Sequence, residues 1–367
     1  FGYLRIIAFV RLPEAFRHQS RQGQPLTWKG DRGVALGIGD DAALLEVPAG
    51  EQLVACCDAL NEGVHFLPGT DPADIGWKAL AVNLSDLAAM GARPAWALLS
   101  LTLPRADADF VDAFMRGFSA LADAAGTALV GGDTTSGPLS ICVTALGCVP
   151  RGQALTRAGA RPGDAVFVSG TLGDASAALE HLRPMGPRHP GEGRSDDDFP
   201  MSLRDRLHRP TPRIALGQAL RGVANAVIDV SDGLLADLGH IARASGVGIE
   251  LDAEALPASA ALRTLLDPAE RLRCQATGGD DYELVFTVPS ERWETLRAIF
   301  PPEFRGALPI TPSPPLAGEW AGVRGAFPAV TRIGRVVAGE GVRVLDADGV
   351  PVDFDRAGWE HFMDKVP

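Results

Sequence analysis

The sequence contains no apolar run of the roughly 18 residues that would suggest a helical membrane span, and no membrane partner is expected. It has five cysteines, Cys56, Cys57, Cys142, Cys148 and Cys274, with no C-x-x-C pair among them. A zinc site or a disulfide framework is therefore not expected, and a reducing, cytoplasmic setting is. Basic residues are in deficit: 34 Lys and Arg stand against 46 Asp and Glu, a net charge of −12. That balance disfavours nucleic acid as a partner, because a polyphosphate backbone requires a basic face. Two familiar phosphate-binding loops are also missing: there is no G-x-x-x-x-G-K-[ST], and no G-x-G-x-x-G followed by its lysine. Gly37-Ile38-Gly39 is too short to count as either. The apolar start, Phe1 to Leu12, is broken by Arg5 and Arg11 and lacks a clear signal-peptide cleavage pattern.

What is present fits a globular protein of 367 residues, 46% hydrophobic and 22% charged. This length suits two domains at roughly 100–200 residues each, placed at residues 1–150 and 151–367. The pattern predicts a mixed α/β chain. Strands are expected over Gln52 to Cys57, Trp96 to Leu103, Ala128 to Val130 and Leu139 to Val149, with helices over Pro72 to Gly91 and Ala106 to Ala125. The second half predicts strands over Asp164 to Ser169, Ala226 to Val230 and Tyr282 to Val288. Its helices are expected over Gly173 to Leu182, Thr211 to Leu220 and Leu234 to Ser245. Gly131 to Gly137 reads as a loop, Pro184 to Met201 as a surface loop, and Pro301 to Pro328 as an insertion. Each half has an apolar strand ending in Asp, Asp58 or Asp229, and a later Gly-Gly-Asp turn, which suggests an internal duplication.

The aspartates carry the chemical signal. Asp41, Asp58, Asp86, Asp133, Asp229, Asp232 and Asp280 fall mostly at the ends of apolar runs or beside glycines. A single such Asp is ordinarily a turn residue or a helix cap. Their repetition points instead to a hard cation held by carboxylates and substrate phosphates, with glycine backbones approaching phosphate oxygens. In Asp229-Val230-Ser231-Asp232-Gly233-Leu234, Ser231 or Asp232 is either a helix N-cap or part of an anion site using free N–H groups at a helix start. Arg157 is a phosphate clamp or a surface ion pair. His65 is a structural histidine or a ligand contact, and Trp359 a packing residue or a stacking platform.

Together these stretches resemble thiamine-monophosphate kinases, of the aminoimidazole-ribonucleotide-synthetase-like superfamily. The matching segments are LGIGDDA from Leu36, NEGVHF from Asn61, KALAVNLSDLAAMG from Lys78, GGDTT from Gly131, ALTR from Ala154, RPTPR from Arg209, IDVSDGL from Ile228 and GGDDYEL from Gly278. The resemblance implies an α/β (α+β) two-domain PurM-like fold, with an N-terminal domain that dimerises through a barrel and a C-terminal α/β domain that completes the site. It implies transfer of phosphoryl from ATP to thiamine monophosphate with several Mg²⁺ ions, directly and in line. Metal contacts would come from Asp41, Cys56, Cys57, Asp58, Asp86, Asp133, Asp229 and Asp232. ATP would meet Gly132, Asp133, Arg157 and Ser231, and the thiamine substrate His65, Asp280 and Trp359.

The chain departs from the family at Cys56-Cys57, where Ser and Thr are common, and at Asp280, where Glu is usual. The aromatic at Trp359 also differs, and the family's N-terminal helix is hard to find in residues 1–32. Two alternatives remain: another ATP-using member of the superfamily, such as an aminoimidazole ribonucleotide synthetase, or a non-catalytic thiamine-phosphate-binding protein.

Overall fold

The computed structural model describes residues 33–183, 199–299 and 328–359. The expected N-terminal helix, almost all of the 184–201 loop and the 301–328 insertion lie outside the described residues. The chain divides into two compact units, the first ending at Ala154 and the second comprising the remainder together with Ala88–Met90.

The first unit begins with a short antiparallel pair, β1 (Val34–Leu36) and β2 (Leu44–Leu45). It continues with β3 (Glu51–Asn61), α1 (Pro72–Ala89), β4 (Arg93–Leu103), α2 (Ala108–Ala125), β5 (Ala128–Ser136) and β6 (Ser140–Pro150). The four long strands form one sheet in the order β3-β6-β4-β5, parallel only between β4 and β5. Helix α1 starts at a proline, whose fixed φ suits the first helical turn. Helix α2 is capped by Asp107, which accepts the Phe110 N–H, and ends at Gly126 in the left-handed conformation. Alternation along β6 buries Ile141, Val143 and Ala145, and β4 buries Leu99, Leu101 and Leu103. Leu53 of β3 and Leu98 of β4 remain exposed. The two helices touch backbone to backbone. A Cβ on Gly76 would stand 2.0 Å from the Phe114 carbonyl oxygen, and one on Gly117 would stand 1.7 Å from that of Ala73.

Two expectations are corrected here. Gly131 to Ser136 is strand rather than loop, because β5 runs on beside β4 through Ser136. The glycines make this possible: a Cβ on Gly132 (φ 148°) would meet the Leu99 carbonyl oxygen at 1.8 Å. Asp58 lies within β3, paired with Val143, rather than at a strand end. Asp229 does end its strand, and Gly278 to Asp280 follows a helix. The two halves therefore do not share the arrangement that suggested a duplication.

The second unit contains β7 (Ala165–Ser169), α3 (Asp174–Leu182), α4 (Met201–His208), α5 (Ile214–Ala219), β8 (Ala226–Asp229), α6 (Leu234–Ser245) and β9 (Gly248–Asp252). After these come α7 (Ala260–Leu265), α8 (Pro268–Thr277), β10 (Leu284–Val288), α9 (Trp293–Ile299), β11 (Val330–Val337), β12 (Gly341–Leu345) and β13 (Pro351–Val352). Its sheet has the order β13-β12-β9-β11-β7-β10-β8 and is mainly antiparallel. The central strands are buried on both faces, so they read as continuous apolar runs. Val166, Val168, Ile228 and Val285 pack on one side with Leu234, Leu238 and Ile241 of α6. Phe167, Val227 and Phe286 pack on the other with Leu216, Leu220 and Leu296.

Gly117→Ala is expected to destabilise the protein by about 1–3 kcal/mol, because a methyl group at that contact must push two helix backbones apart. Urea unfolding measures it, and an unchanged midpoint would show that the helices are free to separate.

Candidate active site

In the first unit, the two-residue period of β3 sends Cys56 and Asp58 to one face and Cys57 to the other. On the first face, α1 supplies Asn83 and Asp86, three residues apart and so on one side of the helix. Asn83 is fully buried; its side-chain oxygen accepts the Asp58 N–H at 3.1 Å, and its amide donates to the Ala79 carbonyl at 3.1 Å. The Cys56 thiol donates to the Asn83 carbonyl at 3.3 Å. Burial, and then the negative charges of Asp86 and Asp58, push that thiol far above its ordinary value. The structure therefore gathers Cys56, Asp58 and Asp86. Two carboxylates are hard oxygen donors suited to Mg²⁺, whereas a thiol held protonated is a poor ligand for it.

The Cys57 sulfur lies 3.3 Å from the Cys142 sulfur on the opposite face, so only its backbone is available to the carboxylates. Asp41 is exposed between β1 and β2, its N–H donating to Asp40. Asp133 is exposed on β5 opposite Ser100, accepting the Thr134 N–H at 2.9 Å. His65 accepts the Asn61 N–H through Nδ1 at 3.0 Å, which fixes its tautomer with the proton on Nε2. Its carbonyl accepts from the buried Lys78 ammonium at 3.1 Å.

In the second unit, the centre of the arrangement is a residue to which the sequence assigned no role. Asp237, buried in the first turns of α6, accepts the backbone N–H groups of Ser231, Asp232 and Gly233 at 3.0, 3.2 and 3.2 Å. The N–H groups of the three residues that precede the helix are therefore taken by the protein's own side chain. Neither Ser231 nor Asp232 is the N-cap: that position is Gly233, without a side-chain cap. Burial, followed by the Asp229 and Asp232 carboxylates, pushes Asp237 up to about 8, against the opposing pull of its backbone hydrogen bonds. Asp229, Asp232 and Asp237 thus share one acidic neighbourhood.

The other side of the same loop holds the expected substrate groups. The Ser231 carbonyl accepts the Asp280 N–H at 2.8 Å, and the Asp232 carbonyl accepts the Trp359 N–H at 2.8 Å. Glycines permit the approach: a Cβ on Gly279 would stand 2.5 Å from the Ser231 oxygen, and one on Gly358 2.6 Å from the Asp232 oxygen. Ser231, Asp232, Asp280 and Trp359 are therefore brought together. The Trp359 ring carries the Arg183 guanidinium 5.4 Å from its centroid, a cation–π contact. Arg157 is exposed, its carbonyl within 3.4 Å of the Ser245 hydroxyl. Its charge, after burial and Arg243, helps to lower the pKa of His240 on α6, which the Asp232 carboxylate opposes.

A buried ion cluster underlies the Asp280 segment. Glu283 is wholly buried and receives Arg206 at 2.8 Å, the Ser169 hydroxyl at 2.6 Å, and both Nε (2.6 Å) and Nη2 of Arg213. Arg206 also donates to the Asp281 carbonyl at 3.1 Å. The Asp281 carboxylate, also wholly buried, accepts the Gly173 N–H at the start of α3. Burial raises the pKa of Asp281 well above the carboxylate range, although Arg206 pulls it down.

Among the described residues no three His, Cys, Asp or Glu side chains close on one point as a preformed metal cage. A separate groove of about 490 Å³, lined by Glu250, Asp252, Arg332, Arg335 and Asp346, contains none of the expected site residues.

The two α/β units have counterparts in known proteins. Residues 39–149 match the family model of the AIR synthase related protein N-terminal domain, and residues 161–347 that of its C-terminal domain. The fold is that of AIR synthase related proteins. The thiamine-monophosphate kinase of Salmonella typhimurium is 46% identical over 330 residues, 90% of this chain and 92% of that protein. A solved structure of the Stenotrophomonas maltophilia thiamine-monophosphate kinase superposes with a TM-score of 0.72 at 51% identity, covering 86% of this chain and 92% of that one. A solved AaThiL structure in complex with AMPPCP and TMP gives a TM-score of 0.68 at 37% identity, covering 89% and 92%. The chain belongs to the thiamine-monophosphate kinase family and is a kinase.

Asp237→Ala is expected to destabilise the protein by about 2–4 kcal/mol, because three inward-facing N–H groups lose their acceptor. Asp237→Asn, which keeps an acceptor oxygen, should lose about half of that or less. Equal losses in urea unfolding would show that the carboxylate is needed for its charge rather than as an acceptor.

Proposed function

We propose that this kinase transfers the terminal phosphoryl group of ATP to thiamine monophosphate, giving ADP and thiamine diphosphate. The observation that carries the reading is the Ser231–Gly233 loop, where Ser231 and Asp232, expected at ATP and metal, are joined by backbone hydrogen bonds to Asp280 and Trp359, expected at the acceptor. The AaThiL complex with AMPPCP and TMP supports the same pair of ligands by similarity.

Asp58 and Asp86 in the first unit, and Asp229 and Asp232 in the second, would hold Mg²⁺, joined by Asp41, Asp133 and the backbone at Cys56 and Cys57. Bound Mg²⁺ supplies charge neutralisation on phosphate oxygens. Gly132 brings backbone close to the nucleotide, and Arg157 offers a planar fork to its phosphates. His65 and Trp359 contact the acceptor, Trp359 by stacking. The attacking atom is a phosphate oxygen, largely ionised at neutral pH, so no strong general base is needed. The reading is therefore direct in-line transfer, without a phosphorylated protein intermediate.

A homodimer formed through the N-terminal units is part of the same reading. The exposed Leu53 and Leu98 on the four-stranded sheet support it, since an open apolar sheet face favours a partner. A cytoplasmic setting is supported by the five free cysteines. Among the described residues no helix is long and apolar enough to cross a membrane.

Purified protein given ATP, Mg²⁺ and thiamine monophosphate should form thiamine diphosphate and ADP in equal amounts, read by chromatography. Binding of both ligands without ADP release at any Mg²⁺ concentration would identify a binding protein instead. Asp58→Asn should lower kcat roughly a hundredfold or more while leaving the melting temperature unchanged. Wild-type turnover in that variant would remove Asp58 from the site.

A further inference from the structure

Asp280 and Tyr282 are the two non-glycine residues with positive φ among the described residues, at 68° and 50°. Such a conformation is unfavourable for a bulky side chain and persists only where the surroundings over-determine it. Here they do. The N–H groups of Asp280 and Tyr282 are held by the carbonyls of Ser231 and Val230, each at 2.8 Å, and the Glu283 carbonyl accepts the Val230 N–H at 2.8 Å. Between the two strained residues, Asp281 is anchored through its carboxylate to Gly173 and through its carbonyl to Arg206. Immediately after them, Glu283 is clamped by Arg206 and Arg213.

The double bend has a local result. It turns the mostly buried Tyr282 ring back on the chain, so that its hydroxyl donates to Asp280 Oδ1 at 3.0 Å. We propose that Tyr282 is a positioning residue for the acceptor substrate: its hydroxyl fixes the Asp280 carboxylate in the orientation that thiamine monophosphate meets. This rests on the reading of Asp280 as an acceptor contact. A short carboxylate tethered at one oxygen loses little freedom on binding a cationic ligand, so the tether favours the acceptor and leaves ATP unaffected.

The test is steady-state kinetics of the full chain as Tyr282→Phe, Asp280→Asn and the double variant, with ATP and thiamine monophosphate each varied. Tyr282→Phe should raise KM for thiamine monophosphate about tenfold, the cost of one hydrogen bond to a charged group. Its kcat and its KM for ATP should stay within about twofold of wild type. The double variant should be no worse than Asp280→Asn, because the hydroxyl then has no carboxylate to hold. If Asp280→Asn raises that KM and Tyr282→Phe does not, the positioning role is overturned while the reading of Asp280 stands. If Asp280→Asn changes nothing, the reading of Asp280 fails and the proposal with it. A fall in kcat, or equal rises in both KM values, would make Tyr282 merely structural.

A second measurement does not depend on the Phe variant folding. The chain has two tyrosines, Tyr3 and Tyr282, so fluorotyrosine labelling gives two ¹⁹F resonances, assigned with Tyr3→Phe. The Tyr282 resonance should shift on addition of thiamine monophosphate alone; a resonance that stays in place would overturn the proposal.

Discussion

One acidic side chain organises the candidate site of the second unit. Asp237 collects three N–H groups from one side of the Ser231–Gly233 loop, and the carbonyls on the other side then point at the Asp280 and Trp359 backbones. A loop pinned on both edges cannot rotate its peptide planes independently. The backbone positions of Ser231 and Asp232 are thereby fixed. This reverses the usual logic of a helix start, where exposed N–H groups wait for an anion. Here a buried acidic side chain takes the N–H groups just before the helix.

The same economy of means operates beneath Asp280. Two arginines and one glutamate form a buried cluster, and such clusters are costly to desolvate and weak as sources of stability. Their value here is conformational. They hold a chain reversal that local preferences would relax, because neither Asp280 nor Tyr282 favours positive φ. At position 280 the tyrosine hydroxyl holds the short aspartate side chain.

Much of the framework was legible in the sequence because it is encoded locally. The proline at the start of α1, Gly91 just beyond its end and Gly126 at the end of α2 mark helix ends by backbone geometry alone. The apolar runs of β7, β8 and β10 follow from burial on both faces. What escaped was encoded non-locally. The extension of β5 through Gly131 to Ser136 depends on parallel pairing with β4, which no turn rule anticipates. Strand β10 starts at Leu284 rather than Tyr282 because Tyr282 stands at φ 50°, outside the strand conformation, with its N–H held by the distant Val230 carbonyl. Asn83 and Asp237 were visible as polar residues among apolar helix neighbours, and that pattern was the available signal. The expected boundary near residue 150 already divides the aspartates, with Asp58 and Asp86 in one half and Asp229 and Asp232 in the other; that Asp237 takes three N–H groups beside the second pair was not legible.

The ladder between β3 and β6 has a consequence for how the protein is made. Glu51 pairs with Pro150 and Asn61 with Ser140, so its partners lie about eighty to a hundred residues apart along the chain. Strand β3 is also an edge strand, added to a sheet whose other members are close in sequence. Contacts of this range must close a long loop before they return any stabilisation, and they slow folding. The strand that carries Cys56 and Asp58 is thus the one whose placement waits on the synthesis and ordering of everything up to Pro150. A nascent chain has its helices α1 and α2 available well before it can present Asp58 beside Asp86.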